Sequence, residues 1–176
     1  MRFIQNEINN SREGKEAYII FKLNNLVDSA IIEKLYLASQ AGVKIKLNIR
    51  GMFSLVPGVP GQSENIQAIN IVDKYLEHTR ILVFCNGGDE KYFISSADLM
   101  PRNIDRRVEI TCPIYDKDIQ RELRTFLEIQ WSDNIKKRNR DETLFNFSKS
   151  PDSSLKIRAQ EEIHKFLKLQ LSKKSH

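Results

Sequence analysis

Three groups of side chains in this 176-residue chain have the types and spacing to handle a phosphate group. The first is Arg50, at the end of the run VKIKLNIR and directly before Gly51. A guanidinium at the tip of a parallel strand, beside a Gly-rich loop with exposed backbone N–H groups, can grip phosphate oxygens bidentately. The plainer reading is an arginine that solvates a strand end. The second group is His78-Thr79-Arg80, with Ser95-Ser96-Ala97-Asp98 beginning 17 residues after the histidine. His78 could serve as a general acid or a charge-stabilising donor, or it could simply close a helix C-terminus. The third group is MPRNIDRRVE (100–109), where Arg102, Arg106 and Arg107 crowd ahead of an apolar stretch. Strand alternation would put Arg107 and Glu109 on one side and Val108 on the other. Such a pair could hold a phosphate and orient a histidine, or form a salt-bridged strand edge.

These residues need elements to position them, and the apolar pattern supplies candidates. Phe3, Ile4 and Ile8 recur at helical spacing, with Gly14 as a stop, so residues 2–13 read as a helix. AYIIFKL (17–23) reads as a buried strand, Asp28 caps a helix ending at Gly42, and VKIKLNIR (43–50) alternates as a half-buried strand. Together they form a βαβ crossover with a parallel pair. Residues 51–65 hold three of the seven glycines and two of the five prolines, and a long loop at the carboxyl end of a parallel strand is where α/β proteins place ligands. IVDKYLEH (71–78) reads as a short helix. Residues 80–85, 91–97 and 106–113 read as strands, with a turn at NGGDE (86–90). Asp116 caps a long amphipathic helix, residues 133–156 read as irregular with a loop at 148–154, and a helix closes the chain over about 157–171.

The expected fold is α/β: a mixed, mostly parallel sheet of about six strands flanked by helices, with C-terminal helices, in a single domain over 1–176 whose helical extension covers about 115–176. The predicted core is Ile19, Ile20, Leu35, Ile45, Leu47, Ile81, Val83, Phe93, Val108, Ile110, Phe126 and Leu127. Trp131 is assigned to the core, His164 to solvent and His176 to the terminus. Arg50, His78 and Arg107 should converge at one edge of the sheet.

Composition bounds the rest. Apolar residues at 40% and charged residues at 29% fit a folded soluble chain and argue against disorder. A net charge of +5 suits an anionic partner such as nucleotide, polyphosphate, nucleic acid or an acidic membrane surface, without choosing among them. Cys85 and Cys112 lie in apolar runs and read as buried, reduced thiols. With no CxxC pair and only three histidines, no metal site is expected within the chain. No apolar run approaches the roughly 20 residues of a membrane span, and the polar N-terminus lacks a signal-peptide core. The expected setting is the cytoplasm, peripheral to the membrane at most.

The strings RGMFSLVPGVPGQSENI, IVDKYLEHTRI and NGGDEKYFISSADLMPRNIDRRVE, with AYIIFKLNNLVDSAIIEKLYLASQAGVKI upstream, resemble the C-terminal domain of the long, multidomain bacterial polyphosphate kinases, through nearly all of residues 1–170. That family's two C-terminal domains each resemble half of a phospholipase D enzyme, and His78-Thr79-Arg80 is a degenerate form of the His-x-Lys pattern of that superfamily. The resemblance implies reversible transfer of the terminal phosphate of ATP to polyphosphate, with Mg2+, through a phosphohistidine in a preceding domain that this chain lacks. The N-terminal and head domains are lacking too, the family's chain continues upstream of Met1, and Met1 therefore reads as an imposed start. Arg50, in the RGM motif, and His78, in the LEH motif, match ATP-binding positions, with His78 also catalytic. Arg107 and Glu109, in the DRRVE motif, lie near the phosphate path, with Arg102 supporting.

The implied partners are ATP or ADP and polyphosphate, the lacking domains of the same enzyme and further copies in an oligomer, with metal ligands in the lacking domain and no nucleic acid. Alone, the fragment is expected to be inactive. The alternatives are a stand-alone polyphosphate- or nucleic-acid-binding module without catalysis, and a homodimeric phospholipase D-like nuclease or lipase.

Overall fold

The structure, a computed structural model, describes residues 1–141, 146–147 and 155–174. The expected loop at 148–154 and His176 lie outside the described residues.

The chain opens with α1 (Arg2–Arg12), then β1 (Tyr18–Leu23), α2 (Ser29–Gln40) and β2 (Lys44–Ile49). The Asp28 side chain accepts the Ile31 N–H at 3.0 Å and starts α2. Gly42, at φ 91°, ends it. β3 (Ile66–Ile71), β4 (Ile81–Phe84) and β5 (Lys91–Ser95) follow, then α3 (Pro101–Asp105), β6 (Thr111–Ile114), α4 (Lys117–Ser132), β7 (Lys137–Arg140), β8 (Asn146–Phe147) and α5 (Ala159–Lys174). Among the described residues the strands form one sheet in the order β6-β5-β4-β1-β2-β3-β7-β8.

The sheet is mixed, as expected, but it has eight strands, and only β1–β2 and β2–β3 are parallel. The expected parallel character holds for the central crossovers alone. Hairpins and reversals make both flanks antiparallel. β3 and β7 are additions to the sequence reading. β3 ends at Ile71, where the expected 71–78 helix would begin. Residues 72–80 instead form a loop without helix or strand, and its apolar side chains Val72, Tyr75 and Leu76 face solvent. A helix there would have no core to cover with that stripe.

Strand alternation sends side chains to two covered faces. On the first face, Ile19, Phe21 and Leu23 of β1 and Ile45, Leu47 and Ile49 of β2 meet Ile4 and Ile8 of α1 and Leu35 of α2. Each such burial contributes about 1.5–3 kcal/mol. On the second face, Ile81, Val83 and Tyr92 meet Leu127 of α4, while Ile69 and Ile71 meet Ala159 and Ile163 of α5. The C-terminal helices are therefore the second layer of the sandwich. Two polar anchors fix them. Glu90 accepts from the Tyr18 hydroxyl, from the Tyr92 hydroxyl at 2.8 Å and from Arg124 Nη1 of α4 at 3.0 Å. Asp133, fully buried, accepts from the Ile135, Lys136 and Lys137 N–H groups at 2.8, 2.6 and 3.0 Å and from the Ala159 N–H of α5 at 2.6 Å.

Val108 and Ile110 depart from the predicted core: they are 100% and 65% exposed. Residues 106–110 link α3 to β6 outside the ladder, so no sheet face receives them. Cys112 is likewise exposed, because β6 is an edge strand, whereas Cys85 is buried; both thiols are free. Ile20, Phe93, Phe126 and Trp131 are partly buried against the clusters, and His164 is exposed.

Candidate functional site

The parallel strands β1 and β2 end side by side, Leu23 opposite Ile49. Each runs into a polar pair, Asn24-Asn25 and Arg50-Gly51. The Gly51 N–H donates to the Asn24 carbonyl at 2.8 Å. A Cβ at position 51 would lie 2.6 Å from Asn25 Oδ1 and 2.9 Å from the Asn24 carbonyl oxygen, so glycine alone fits without displacement. Arg50 Nε donates to Asn24 Oδ1 at 2.7 Å, which fixes the guanidinium at the strand end.

Asp98 ties this corner together. Its carboxylate accepts from the Asn24 and Asn25 N–H groups at 2.8 and 3.1 Å, from Asn25 Nδ2 at 2.8 Å and from Arg80 Nε and Nη2 at 2.9 and 3.2 Å. Burial pushes the Asp98 carboxyl up, but the bonds from Arg80, Asn25 and Asn24 outweigh it and hold the group below the usual carboxylate range. Arg80, the basic member of His78-Thr79-Arg80, is thus bidentate on a buried carboxylate. Its Nη1 also donates to the His78 carbonyl at 3.0 Å.

His78 lies at the exposed end of the β3–β4 loop with Nδ1 3.5 Å from Arg50 Nη2. With Arg50 as donor, Nδ1 accepts and Nε2 carries the ring hydrogen. The preceding residue turns inward: the Lys22 ammonium lies 2.8 Å from the Glu77 carboxylate, with side chains 5% and 19% exposed. Burial presses the ammonium down and Arg50 adds to that effect, while Glu77 opposes it. At Glu77, burial is outweighed by Lys22, Gln160 and Gln130, and the carboxyl stays ionised.

Arg140 completes the positive corner from β7. Its Nη2 donates to the Gly51 carbonyl at 3.2 Å and its guanidinium lies 4.9 Å from the Phe53 ring centroid. Burial alone depresses this guanidinium. With Lys22 buried and paired to Glu77, Arg50 and Arg140 make the carboxyl end of the central strands cationic, suited to phosphate oxygens.

The structure brings Arg50 and His78 together as the sequence suggests. The DRRVE segment is arranged differently. Glu109 accepts from the Ser96 hydroxyl and from Asn103 Nδ2 at 2.7 Å. These bonds, with the charges of Arg107 and Arg80, hold its carboxyl below the usual range. Arg107 is thus near Glu109 without sharing a strand face with it. Arg102 sits exposed on α3. Among the described residues neither Arg102 nor Arg107 hydrogen-bonds to Arg50 or His78. Sequence reasoning named Asp98 only as the end of the Ser95–Asp98 turn, without a role, and missed Asn24, Asn25, Lys22, Glu77 and Arg140. A signal existed for Asn24 and Asn25, polar residues directly after an apolar strand, and for the role of Asp98, an acid in a Ser-rich turn.

Among the described residues no group of three or more His, Cys, Asp or Glu side chains could hold a metal ion.

Comparison with known proteins identifies the surroundings of this corner. The family model described as polyphosphate kinase C-terminal domain 2 matches residues 1–160. The polyphosphate kinase of Vibrio vulnificus (strain YJ016) is 49% identical over 167 residues, which is 95% of this chain and 24% of that protein. That of Escherichia coli (strain K12) is 44% identical over 165 residues, 94% of this chain and 24% of the relative. The crystal structure of polyphosphate kinase from Porphyromonas gingivalis superposes with a TM-score of 0.93 at 46% identity, covering 96% of this chain and 26% of that one. Nuc from Salmonella typhimurium, a phospholipase D family member, shares the fold at a TM-score of 0.55 and 12% identity, covering 76% of this chain and 88% of that one. The chain spans about a quarter of the length of the polyphosphate kinases it matches. On the family match and these identities, it belongs to the polyphosphate kinase family, as the C-terminal domain 2.

Proposed function

We propose that this chain supplies the ATP- and phosphate-gripping half of an ATP:polyphosphate phosphotransferase site. The reaction is reversible transfer of the terminal phosphate of ATP, with Mg2+, to polyphosphate through a phosphohistidine on a domain outside this chain. The observation that carries the reading is the Arg50 guanidinium against the His78 imidazole, at the carboxyl ends of two parallel strands.

Phosphoryl transfer needs fixed cations where charge spreads over the equatorial oxygens. Arg50, held at Nε by Asn24, keeps its terminal nitrogens at the strand tip for that role. His78 is placed to donate a proton or a charged hydrogen bond to the transferring group. Arg107, with Arg102 and Glu109 supporting, lies on the path of the polyphosphate. The metal ligands belong to the lacking catalytic domain, as does the nucleophile, so the fragment binds and does not turn over. The partners are ATP, polyphosphate and the remaining domains of an oligomeric enzyme, with residues 1–176 forming one domain of it. The setting is the cytoplasm; no described helix is long and apolar enough to cross a membrane.

The alternative, an anion-binding module without catalysis, is favoured only by the net charge of +5. Full-length enzyme carrying His78→Ala should lose roughly 10²–10⁴-fold in turnover. Arg50→Ala should lose about 10²-fold or more, with weaker ATP binding. Turnover near that of the unaltered enzyme in both variants removes the roles assigned to His78 and Arg50. Titration of the isolated chain with polyphosphate and with an ATP analogue, each at two salt concentrations, then tests the module reading.

A further inference from the structure

The β3–β4 loop, residues 72–80, has no helix or strand of its own. It must pass the ends of β2 and β1, which separate β3 from β4 in the sheet. A segment of this kind would sample many conformations unless held, yet it carries His78. What holds it comes largely from α5. Arg158, directly before the helix, forks onto Asp73: Nε to Oδ2 at 2.9 Å and Nη2 to Oδ1 at 2.7 Å. The Asp73 side chain is 1% exposed. The Gln160 side chain then takes both backbone groups of one residue. Its Oε1 accepts the Tyr75 N–H at 2.9 Å, and its Nε2 donates to the Tyr75 carbonyl at 2.8 Å and to Glu77 Oε1 at 3.0 Å. Only an amide presents acceptor and donor together at this position. Glu77 is locked further by Lys22 of β1 and by Gln130 Nε2 of α4 at 2.7 Å. His78 is the next residue.

We propose that the start of the C-terminal helix is a latch for this loop, with Arg158 and Gln160 as positioning residues that hold the His78 imidazole against Arg50. The latch has a firm base. Asp133 accepts the Ala159 N–H at 2.6 Å, and Ala159 and Ile163 pack on Ile69 and Ile71 of β3. The loop is therefore tied to the same strand it leaves. Neither Arg158 nor Gln160 contacts Arg50 or His78 directly, so their effect on the site runs through residues 73–77. Where the reaction is concerned, the inference rests on the function proposed above.

Amide hydrogen exchange on the 176-residue chain reads the latch without any turnover. Gln160→Ala should speed exchange of the 73–78 amides by about tenfold, as expected for lost hydrogen bonds. Exchange in β1, β2 and β4 should not change, while the His78 ring resonances should shift. Gln160→Glu should act similarly, because it keeps the shape but places a carboxylate against Glu77. Lys165→Ala, a matched change on the same helix whose ammonium pairs with Glu162, should leave the loop as it was. Unchanged exchange at 73–78, or faster exchange spread evenly over the sheet, overturns the latch. In full-length enzyme, Gln160→Ala should lower kcat by about tenfold with the KM for ATP changed less. If the loop opens and kcat holds, the latch stands and the role given to His78 falls.

Discussion

At Gly51 a single hydrogen atom decides whether the corner at the ends of β1 and β2 can form. The turn after β2 comes so close to Asn24 and Asn25 that a methyl group would meet Asn25 Oδ1 at 2.6 Å. That amide cannot swing away, because its Oδ1 accepts the Met52 N–H at 2.9 Å and its Nδ2 donates to Asp98 at 2.8 Å. Gly51→Ala should therefore lower stability by about 1–3 kcal/mol, in the range of other overpacking changes. A urea unfolding midpoint measures it; a midpoint equal to that of the unaltered chain would show the turn to be slack. Arg50 and His78 are legible in the sequence because each stands at a chemical boundary, an arginine before glycine and a histidine beside a basic residue. The residues that hold them are not. Asp98 contacts Asn24 across 74 positions, and no local periodicity reports a carboxylate that serves three separated segments.

At the scale of elements, Asp98 joins the end of β1 to the start of β4 and, through the Asn25 amide, steadies the turn after β2. Breaking a buried charged pair of this kind costs about 3–5 kcal/mol, and Asp98→Ala, which leaves Arg80 unpaired, should show that loss. The pH dependence has a definite sign. The folded state holds this carboxyl below its ordinary value, so the stabilisation is complete above pH about 4 and fades as pH falls through the lower folded value. Unfolding midpoints of the unaltered chain should therefore drop on acidification between about pH 5 and pH 2. The Asp98→Asn variant should drop less, with Asp73, also held low by its bonds from Arg158, accounting for part of what remains. Equal slopes would remove Asp98 from this account. Element types with strong period were legible in the sequence: α1, α2, α4 and the strands β1, β2, β4 and β5. β7 was not, because KRNR carries no apolar residue and its place rests on backbone pairing with β3.

For the whole molecule, the sequence reading described the C-terminal helices as a trailing extension, and the structure gives them a working place. α4 and α5 cover the face of the sheet opposite α1 and α2, and the first turn of α5 reaches the loop of the candidate site. The cationic corner built from Arg50 and Arg140 is open to solvent at His78, in a chain that spans a quarter of its relatives' length.

The Glu90 anchor under α4 makes the assembled sandwich visible to ultraviolet light. Of the five tyrosines, Tyr18 and Tyr92 share that one carboxylate, and burial followed by the Glu90 bond raises both phenols well above their ordinary value. Their neutral forms stabilise the fold fully below pH about 10, and the contribution is lost as pH rises beyond it. An alkaline absorbance titration of the folded chain should thus leave Tyr18 and Tyr92 silent at the pH of about 10 where a free phenol ionises. Arg124→Ala should leave them silent still, since the guanidinium favours the phenolate, whereas Glu90→Gln should move both to lower pH, with burial still holding them above the ordinary value. If Tyr18 and Tyr92 ionise as free phenols in the folded chain, the hydroxyl pair does not lie beneath α4 as described.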